Sequence, residues 1–143
     1  MNILLAEDND NDVLLLRTAM RGHTDISLSV VNNGDELIHY LLGVGPYQNR
    51  EKYPFPSLVL LDLKMPKKDG FEVLEWIRSD PKFQPMPIVV LTSSQLKEDV
   101  DRAYNFHVNS YLSKTILTRP DEGMNEVLSY WKEFCRQPVI SGV

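Results

Sequence analysis

The sequence predicts an α/β protein with a doubly wound, five-stranded parallel sheet. Two observations lead to this fold class. Five short, mostly apolar segments recur along the chain, and segments with helical spacing separate them. Strands that alternate with helices of this length imply parallel strands joined by helical crossovers, which is the flavodoxin-like architecture. We expect a single domain over residues 1–143.

The five apolar segments have the length of strands: Ile3–Ala6, Leu28–Val31, Leu58–Leu61, Ile88–Leu91 and Ser110–Leu112. The first, third and fourth are unbroken apolar runs. Such runs are typical of strands covered on both faces, so helices are expected on both sides of the sheet.

The segments between the strands each place apolar residues on one helical face. The positions for the first four helices are Val13, Leu16 and Met20; Leu37, Tyr40 and Leu41; Phe71, Leu74 and Ile77; and Val100, Ala103 and Tyr104. The last helix has the clearest pattern, and Pro120 suits its first turn. Its apolar face contains Met124, Val127, Leu128, Trp131 and Cys135.

Two segments interrupt the regular spacing. Residues 43–56 predict a long, ordered loop, which is either a tolerated surface insertion or a partner-specific contact. Residues 138–143 form a short C-terminal extension, which is either a disordered terminus or part of a self-association surface.

Composition excludes several classes of function. The formal net charge is −5 and the basic residues do not cluster, which argues against nucleic-acid binding. Cys135 is the single cysteine, so no internal disulfide is expected. The apolar N-terminal stretch is too short for a signal peptide, and no segment is long enough to span a bilayer. We therefore expect a cytoplasmic protein.

Polar residues collect where the predicted strands end, and the carboxyl ends of parallel strands meet at one edge of a sheet. They are Glu7 and Asp8, Asp62, Thr92 and Ser93, and Lys114. Three carboxylates brought together repel one another unless a cation neutralises them. Oxygen ligands favour Mg²⁺, with Mn²⁺ as a substitute, and the lack of His or Cys at these ends argues against zinc.

Asp62 is the best candidate for a phosphoryl acceptor at this edge. A carboxylate can form an aspartyl phosphate when a metal and a lysine neutralise the transferred charge. Lys114 would pair with a phosphoryl oxygen, Thr92 would donate a hydroxyl hydrogen bond, and the small Ser93 would leave room. Each residue taken alone has a simpler explanation, such as capping of the helix near Asp10 by Glu7 and Asp8 or an ordinary surface position for Lys114.

The sequence closely resembles the receiver domains of two-component response regulators over nearly its whole length. The motifs that match are AEDNDND, LVLLDLKMPKKDGFEVLEWIR, PIVVLTSS and SYLSK. The resemblance implies that Asp62 is phosphorylated by a histidine kinase and that Lys114 contacts the phosphoryl group. It also implies that the backbone carbonyl of Lys64 binds Mg²⁺ together with Glu7, Asp8 and Asp62, and that the switch residues are Thr92 and Tyr111.

The long loop and the C-terminal extension resemble those of small regulators that partner bacterial and cyanobacterial phytochromes. This narrower likeness implies a phytochrome kinase as partner and a homodimer. We expect no output domain after the receiver, and we therefore expect signalling through protein contacts or onward phosphotransfer. We expect no enzymatic activity beyond Mg²⁺-dependent self-phosphorylation and autodephosphorylation.

Two alternatives use related chemistry. A phosphohydrolase of the haloacid dehalogenase type would carry a second Asp at position 64, where this chain has Lys64, a poor base at neutral pH. An FMN carrier would need a phosphate-binding loop after the first strand, where this chain has EDNDND. A final expectation concerns Thr115, which stands where most receivers have a proline after a cis bond. We predict a trans bond between Lys114 and Thr115.

Overall fold

One parallel sheet with the strand order β2-β1-β3-β4-β5 forms the centre of the molecule. The computed structural model describes residues 1–140, apart from the side chains at positions 120 and 121. The strands are β1 (Asn2–Ala6), β2 (Ser27–Val31), β3 (Leu58–Leu61), β4 (Ile88–Thr92) and β5 (Ser110–Ser113). The predicted fold class is confirmed, and the strand bounds differ from the predicted bounds by no more than one residue.

Four of the five predicted helices are regular α-helices: α1 (Asp10–Ala19), α2 (Gly34–Leu42), α3 (Gly70–Ser79) and α4 (Lys97–Asn105). The last helical segment contains a short α-helix, α5 (Asn125–Ser129), between the π-helical turns Pro120–Met124 and Tyr130–Phe134. Two 3₁₀-helices, Gly45–Tyr47 and Lys114–Thr118, lie in the loops after α2 and β5.

Side-chain caps fix the starts of three helices. The side chains of Asn9, Asn33 and Asp69 each accept a hydrogen bond from the third residue of the helix that follows, at 2.9–3.1 Å. Each bond satisfies one of the amides that a helix start leaves without an intrahelical partner. Asn9 rather than Glu7 or Asp8 caps α1, so the simpler explanation for those two carboxylates is wrong.

The burial of β3 on both faces of the sheet explains why its sequence is apolar without interruption. Val59 and Leu61 belong to the core between the sheet and helices α2 and α3. Leu58 and Leu60 belong to the opposite core, which includes residues of α1 and α5. All four side chains are fully buried. Successive side chains of a strand point to opposite faces, so a strand covered on both faces requires apolar residues throughout.

Two predicted apolar positions differ in the structure. Tyr104 lies on α4 but is 47% exposed, so it does not contribute to the buried face of that helix. Cys135 follows the last helical turn in an extended conformation, although its side chain still packs against the core beside Trp131. The apolar pattern in the sequence therefore extends one residue beyond the end of the last helical turn.

The loop at residues 43–56 is ordered by contacts with the core. Arg50 donates hydrogen bonds to the carbonyl oxygens of Tyr40 and Leu41, and Phe55 packs against the core between the sheet and α2 and α3. In the C-terminal extension, Ile140 packs against the same core. Residues 141–143, which complete the predicted extension, lie outside the described residues. Within residues 1–140, no helix is long and apolar enough to cross a membrane.

Candidate phosphoacceptor and metal site

The strand register brings the predicted site residues to one edge of the sheet. Ala6 pairs with Leu61 in the neighbouring strand, and the amide of Asp62 donates a hydrogen bond to the carbonyl of Ala6 at 3.1 Å. Glu7 and Asp62 therefore leave adjacent strands at the same level. This arrangement follows from parallel pairing, which aligns the carboxyl ends of the strands.

Three carboxylates meet at this edge in a group that could hold a metal ion. Glu7, Asp8 and Asp62 each offer one oxygen, and these oxygens lie within 4.8 Å of one another. Glu7 and Asp62 are buried, whereas Asp8 is exposed. An all-oxygen donor set of this kind suits a hard divalent cation such as Mg²⁺ or Mn²⁺. The residues therefore fit the metal that the sequence predicts.

Lys114 supplies the positive charge of the site. Its Nζ lies 2.8 Å from Oε1 of Glu7, 3.0 Å from Oδ2 of Asp62 and 2.7 Å from Oδ2 of Asp12. The side chain is 15% exposed, so it is not an ordinary surface lysine. Its ammonium contacts the predicted acceptor directly, which is the position that neutralisation of a transferred phosphoryl group requires.

Asp12 is a member of this network that the sequence analysis missed. It lies in the first turn of α1, and its backbone amide is the one that Asn9 caps. The available signal was the acidic run after β1, because a helix that starts near Asp10 keeps Asp12 close to the strand end. Its contact with Lys114 depends on the orientation of α1, which the sequence pattern alone does not give.

Burial and charge shift the pKa values of two site residues. Burial raises the pKa of Glu7 from 4.5 to about 7, and the negative charge of Asp62 adds to this effect, although hydrogen bonds from Lys114 and Asn9 oppose it. Burial alone lowers the pKa of Lys114, but its hydrogen bonds to Asp12, Glu7 and Asp62 outweigh burial and raise it above the ordinary lysine value. Lys114 therefore stays charged at neutral pH.

Gly70 allows α3 to begin next to the acceptor strand. Its amide donates a hydrogen bond to the carbonyl of Leu63 at 3.0 Å. A Cβ atom at this position would lie 2.6 Å from both the backbone oxygen of Asp62 and the Cα of Leu63. Only a residue without a side chain can fit this approach without moving the backbone, so Gly70 helps to fix the loop that carries Asp62.

The two predicted switch residues are linked through the loop after β4. Thr92 is fully buried at the end of β4. Tyr111 on β5 is half-buried, and its hydroxyl donates a hydrogen bond to the carbonyl oxygen of Ser94 at 2.9 Å. Ser93, next to Thr92, is exposed. The switch roles of Thr92 and Tyr111 stay predictions.

The remaining expectations concern Lys64 and the loop after Lys114. The backbone amide of Lys64 lies 3.4 Å from Oδ1 of Asp62, so this residue is beside the predicted acceptor, and metal binding by its carbonyl stays a prediction. The bond between Lys114 and Thr115 is trans, as predicted. Lys114 begins a 3₁₀-helix and still reaches Asp62.

The chain matches a family of signalling domains over most of its length. The sequence model of the response regulator receiver domain matches residues 3–127. The chain belongs to this family, whose members are signalling proteins of two-component systems. The phosphohydrolase alternative gains no support from these comparisons.

Two curated relatives are similar over most of their length. The response regulator Rcp1 of Synechocystis is 41% identical over 114 residues, which cover 79% of this chain and 76% of the relative. The probable methanogenesis regulatory protein FilR2 of Methanothrix harundinacea is 36% identical over 140 residues, which cover 95% of this chain and 86% of the relative.

Solved structures of response regulators share the fold. The phosphorylated cyanobacterial phytochrome response regulator RcpA superposes with a TM-score of 0.86 at 35% identity, over 96% of this chain and 98% of the other. The Mn²⁺-bound form of Rcp1 superposes with a TM-score of 0.83 at 35% identity, over 96% and 99% of the two chains. Receiver domains bind divalent metal, and the acidic cluster of this chain is suited to the same task.

Proposed function

We propose that this protein accepts a phosphoryl group on Asp62 from a histidine kinase and signals through contacts with other proteins. The observation that carries this proposal is the position of the Asp62 carboxylate, which is buried beside Glu7 and Asp8 and lies 3.0 Å from the ammonium of Lys114. A buried carboxylate with a fixed cation and metal ligands has what an aspartyl-phosphate acceptor needs.

In the proposed transfer, a carboxylate oxygen of Asp62 attacks the phosphorus of the phosphohistidine. A new P–O bond forms, the P–N bond breaks, and its electron pair returns to the histidine ring. Mg²⁺ held by Glu7, Asp8, Asp62 and the Lys64 carbonyl would supply positive charge against the phosphoryl oxygens. Lys114 neutralises the same group from the side, and the Thr92 hydroxyl donates a hydrogen bond to it.

The same site would react with small phosphoryl donors and would hydrolyse its own phosphate. In hydrolysis, water attacks phosphorus, the bond to the Asp62 oxygen breaks, and inorganic phosphate leaves. We assign no other enzymatic activity to the chain. We also propose that residues 1–143 form a single domain and that the protein is located in the cytoplasm.

The proposed partner is a histidine kinase of the phytochrome class. This choice is supported by the similarity to the cyanobacterial phytochrome response regulator RcpA. The output would pass to a downstream protein or phosphotransfer partner. Phosphotransfer from each purified kinase of the source organism would identify the cognate kinase.

We also propose a homodimer through the face that carries β5 and the last helical segment. Two aromatic side chains of that segment, Tyr130 and Phe134, are 54% and 74% exposed. Large exposed aromatic residues are typical of interaction surfaces. Sedimentation of the full chain and of a chain ending at Gln137 tests both the dimer and the role of the extension, which should strengthen the dimer.

The test of the acceptor is phosphate uptake from acetyl phosphate with Mg²⁺, measured by intact mass. Wild type should gain one phosphoryl group, and Asp62→Asn should gain none. Asp8→Ala should react slowly, because it loses a metal ligand. Asp10→Asn is the matched control, since it removes an exposed carboxylate from the same segment. Wild-type uptake by Asp62→Asn would refute the assignment.

A further inference from the structure

The ammonium of Lys114 forms close ion pairs with three carboxylates in this structure. An ammonium group has three N–H donors. The three oxygens within hydrogen-bond or ion-pair distance belong to Glu7, Asp12 and Asp62, at 2.7–3.0 Å. A phosphoryl oxygen on Asp62 therefore has to compete with these carboxylates for the ammonium of Lys114.

The three carboxylates are not equivalent in the proposed reaction. Glu7 and Asp62 belong to the group that could hold a metal ion, so a bound cation would share their charge. Asp62 also becomes esterified when it accepts the phosphoryl group. Asp12 takes part in neither event, and it forms the shortest of the three contacts with Lys114, at 2.7 Å.

We propose that Asp12 is a positioning residue that retains Lys114 and competes with the phosphoryl group for it. This inference rests on the proposed function of Asp62. Asp12 keeps its negative charge throughout the transfer, so it draws the ammonium away from the phosphoryl oxygens and also repels them. Its charge therefore slows phosphorylation, and its anchoring contact keeps the lysine within the site.

The position of Asp12 allows the charge to be removed without disturbing the fold. Its side chain is 21% exposed, and α1 is capped through the backbone amide of Asp12 rather than through its carboxylate. Asp12→Asn keeps the size of the side chain and an oxygen that can accept from Lys114. Asp10→Asn removes an equal charge from the same helical turn, where the carboxylate is exposed.

The test measures the phosphorylation rate with phosphoramidate over a range of donor concentrations at saturating Mg²⁺. Asp12→Asn should raise the rate at saturating donor by about three- to tenfold, the size expected for loss of one competing charge at a partly exposed site. The donor concentration that gives half of this rate should change less, because the lysine acts on the transferred group. Asp12→Glu, which restores the charge, should return the rate toward wild type.

The outcomes separate this inference from the proposed function. A wild-type chain that takes up no phosphate would overturn both. If wild type reacts on Asp62 but Asp12→Asn is no faster than Asp10→Asn, the competition for Lys114 is disproved and the acceptor assignment stands. An equal gain in Asp12→Glu would show that the charge of Asp12 is not the cause.

Discussion

The hydroxyl of Tyr111 donates a hydrogen bond to the backbone carbonyl oxygen of Ser94 across 2.9 Å, and this bond ties β5 to the loop after β4. Ser94 lies two residues after Thr92, which is buried at the end of β4. A movement of Thr92 toward a phosphoryl group on Asp62 would displace the acceptor of this bond. We therefore expect the side chain of Tyr111 to respond to a local change in charge, as a two-state switch requires.

We expect Tyr111→Ala to leave phosphate uptake largely intact and to weaken phosphorylation-dependent dimerisation or partner binding. The hydroxyl of Tyr111 donates its hydrogen bond to Ser94 and not to Asp62, so Asp62 should still be phosphorylated. Uptake is measured by intact mass and association by sedimentation with and without acetyl phosphate. Tyr111→Phe removes only the bond to Ser94 and serves as the finer variant. An unchanged response in Tyr111→Ala would exclude this residue from the switch.

Replacement of Gly70 should damage the acceptor loop. The added methyl group of Gly70→Ala would lie 2.6 Å from the backbone of Asp62 and Leu63, so α3 must move away from β3. Overpacking of this kind costs about 1–3 kcal/mol of unfolding free energy. We expect that loss in urea denaturation, together with slower phosphorylation of the folded fraction.

The matched control for this substitution is Gly22→Ala, because a Cβ atom at Gly22 would meet no other atom within 4 Å. Gly22→Ala should unfold at nearly the wild-type urea concentration and should react at the wild-type rate. Equal stability of the two variants would mean that α3 can shift at no cost, and the role given to Gly70 in fixing the acceptor loop would be wrong.

The sequence predicts well that Asp62 and Glu7 lie together at one edge of the sheet, because strand order is not needed for this placement. Asp62 and Glu7 follow apolar runs, and every parallel strand delivers its carboxyl end to the same edge. Contacts that depend on the orientation of a helix cannot be predicted from the sequence pattern. The contact of Asp12 with Lys114 is one example. The exposure of Tyr104 on α4 is another, because apolar residues at a spacing of three and four do not show where the buried face of the helix ends.

Metal binding should depend on pH through Glu7. Burial, together with the charge of Asp62, raises the pKa of Glu7 to about 7 in the metal-free protein. A proton on Glu7 competes with the cation, so affinity falls as the pH is lowered through this value. Between pH 8 and pH 6 the apparent affinity for Mg²⁺ should fall about tenfold.

Isothermal titration of Mg²⁺ at constant ionic strength measures this dependence. Glu7→Gln should bind Mg²⁺ more weakly than wild type, and its affinity should change much less between the two pH values. If wild type binds Mg²⁺ equally well at pH 6 and pH 8, ionisation of Glu7 does not control the metal site.

We expect Arg50 to anchor the loop at residues 43–56 to helix α2. Its Nη1 donates to the carbonyl of Tyr40 at 2.8 Å, and its Nη2 donates to that of Leu41 at 2.9 Å. Both carbonyls lie in the last turn of α2, where the Tyr40 carbonyl also accepts from the amide of Gly43 at 3.1 Å and the Leu41 carbonyl lies beyond the last intrahelical donor. Gly43 has a φ of 68°, and a side chain there would lie 2.8 Å from Nη2, so the glycine also leaves room for the guanidinium.

We expect Arg50→Ala to lower the free energy of unfolding by about 2–3 kcal/mol, because hydrogen bonds from a charged donor are lost and the Leu41 carbonyl loses its partner. Arg50→Lys should recover only part of this loss, since an ammonium lacks the planar fork of the guanidinium. Urea denaturation gives these values, and Lys52→Ala, which removes an exposed cation from the same loop, should stay within about 0.5 kcal/mol of wild type. If Arg50→Ala is as stable as Lys52→Ala, the loop at residues 43–56 is a tolerated insertion that the fold does not need.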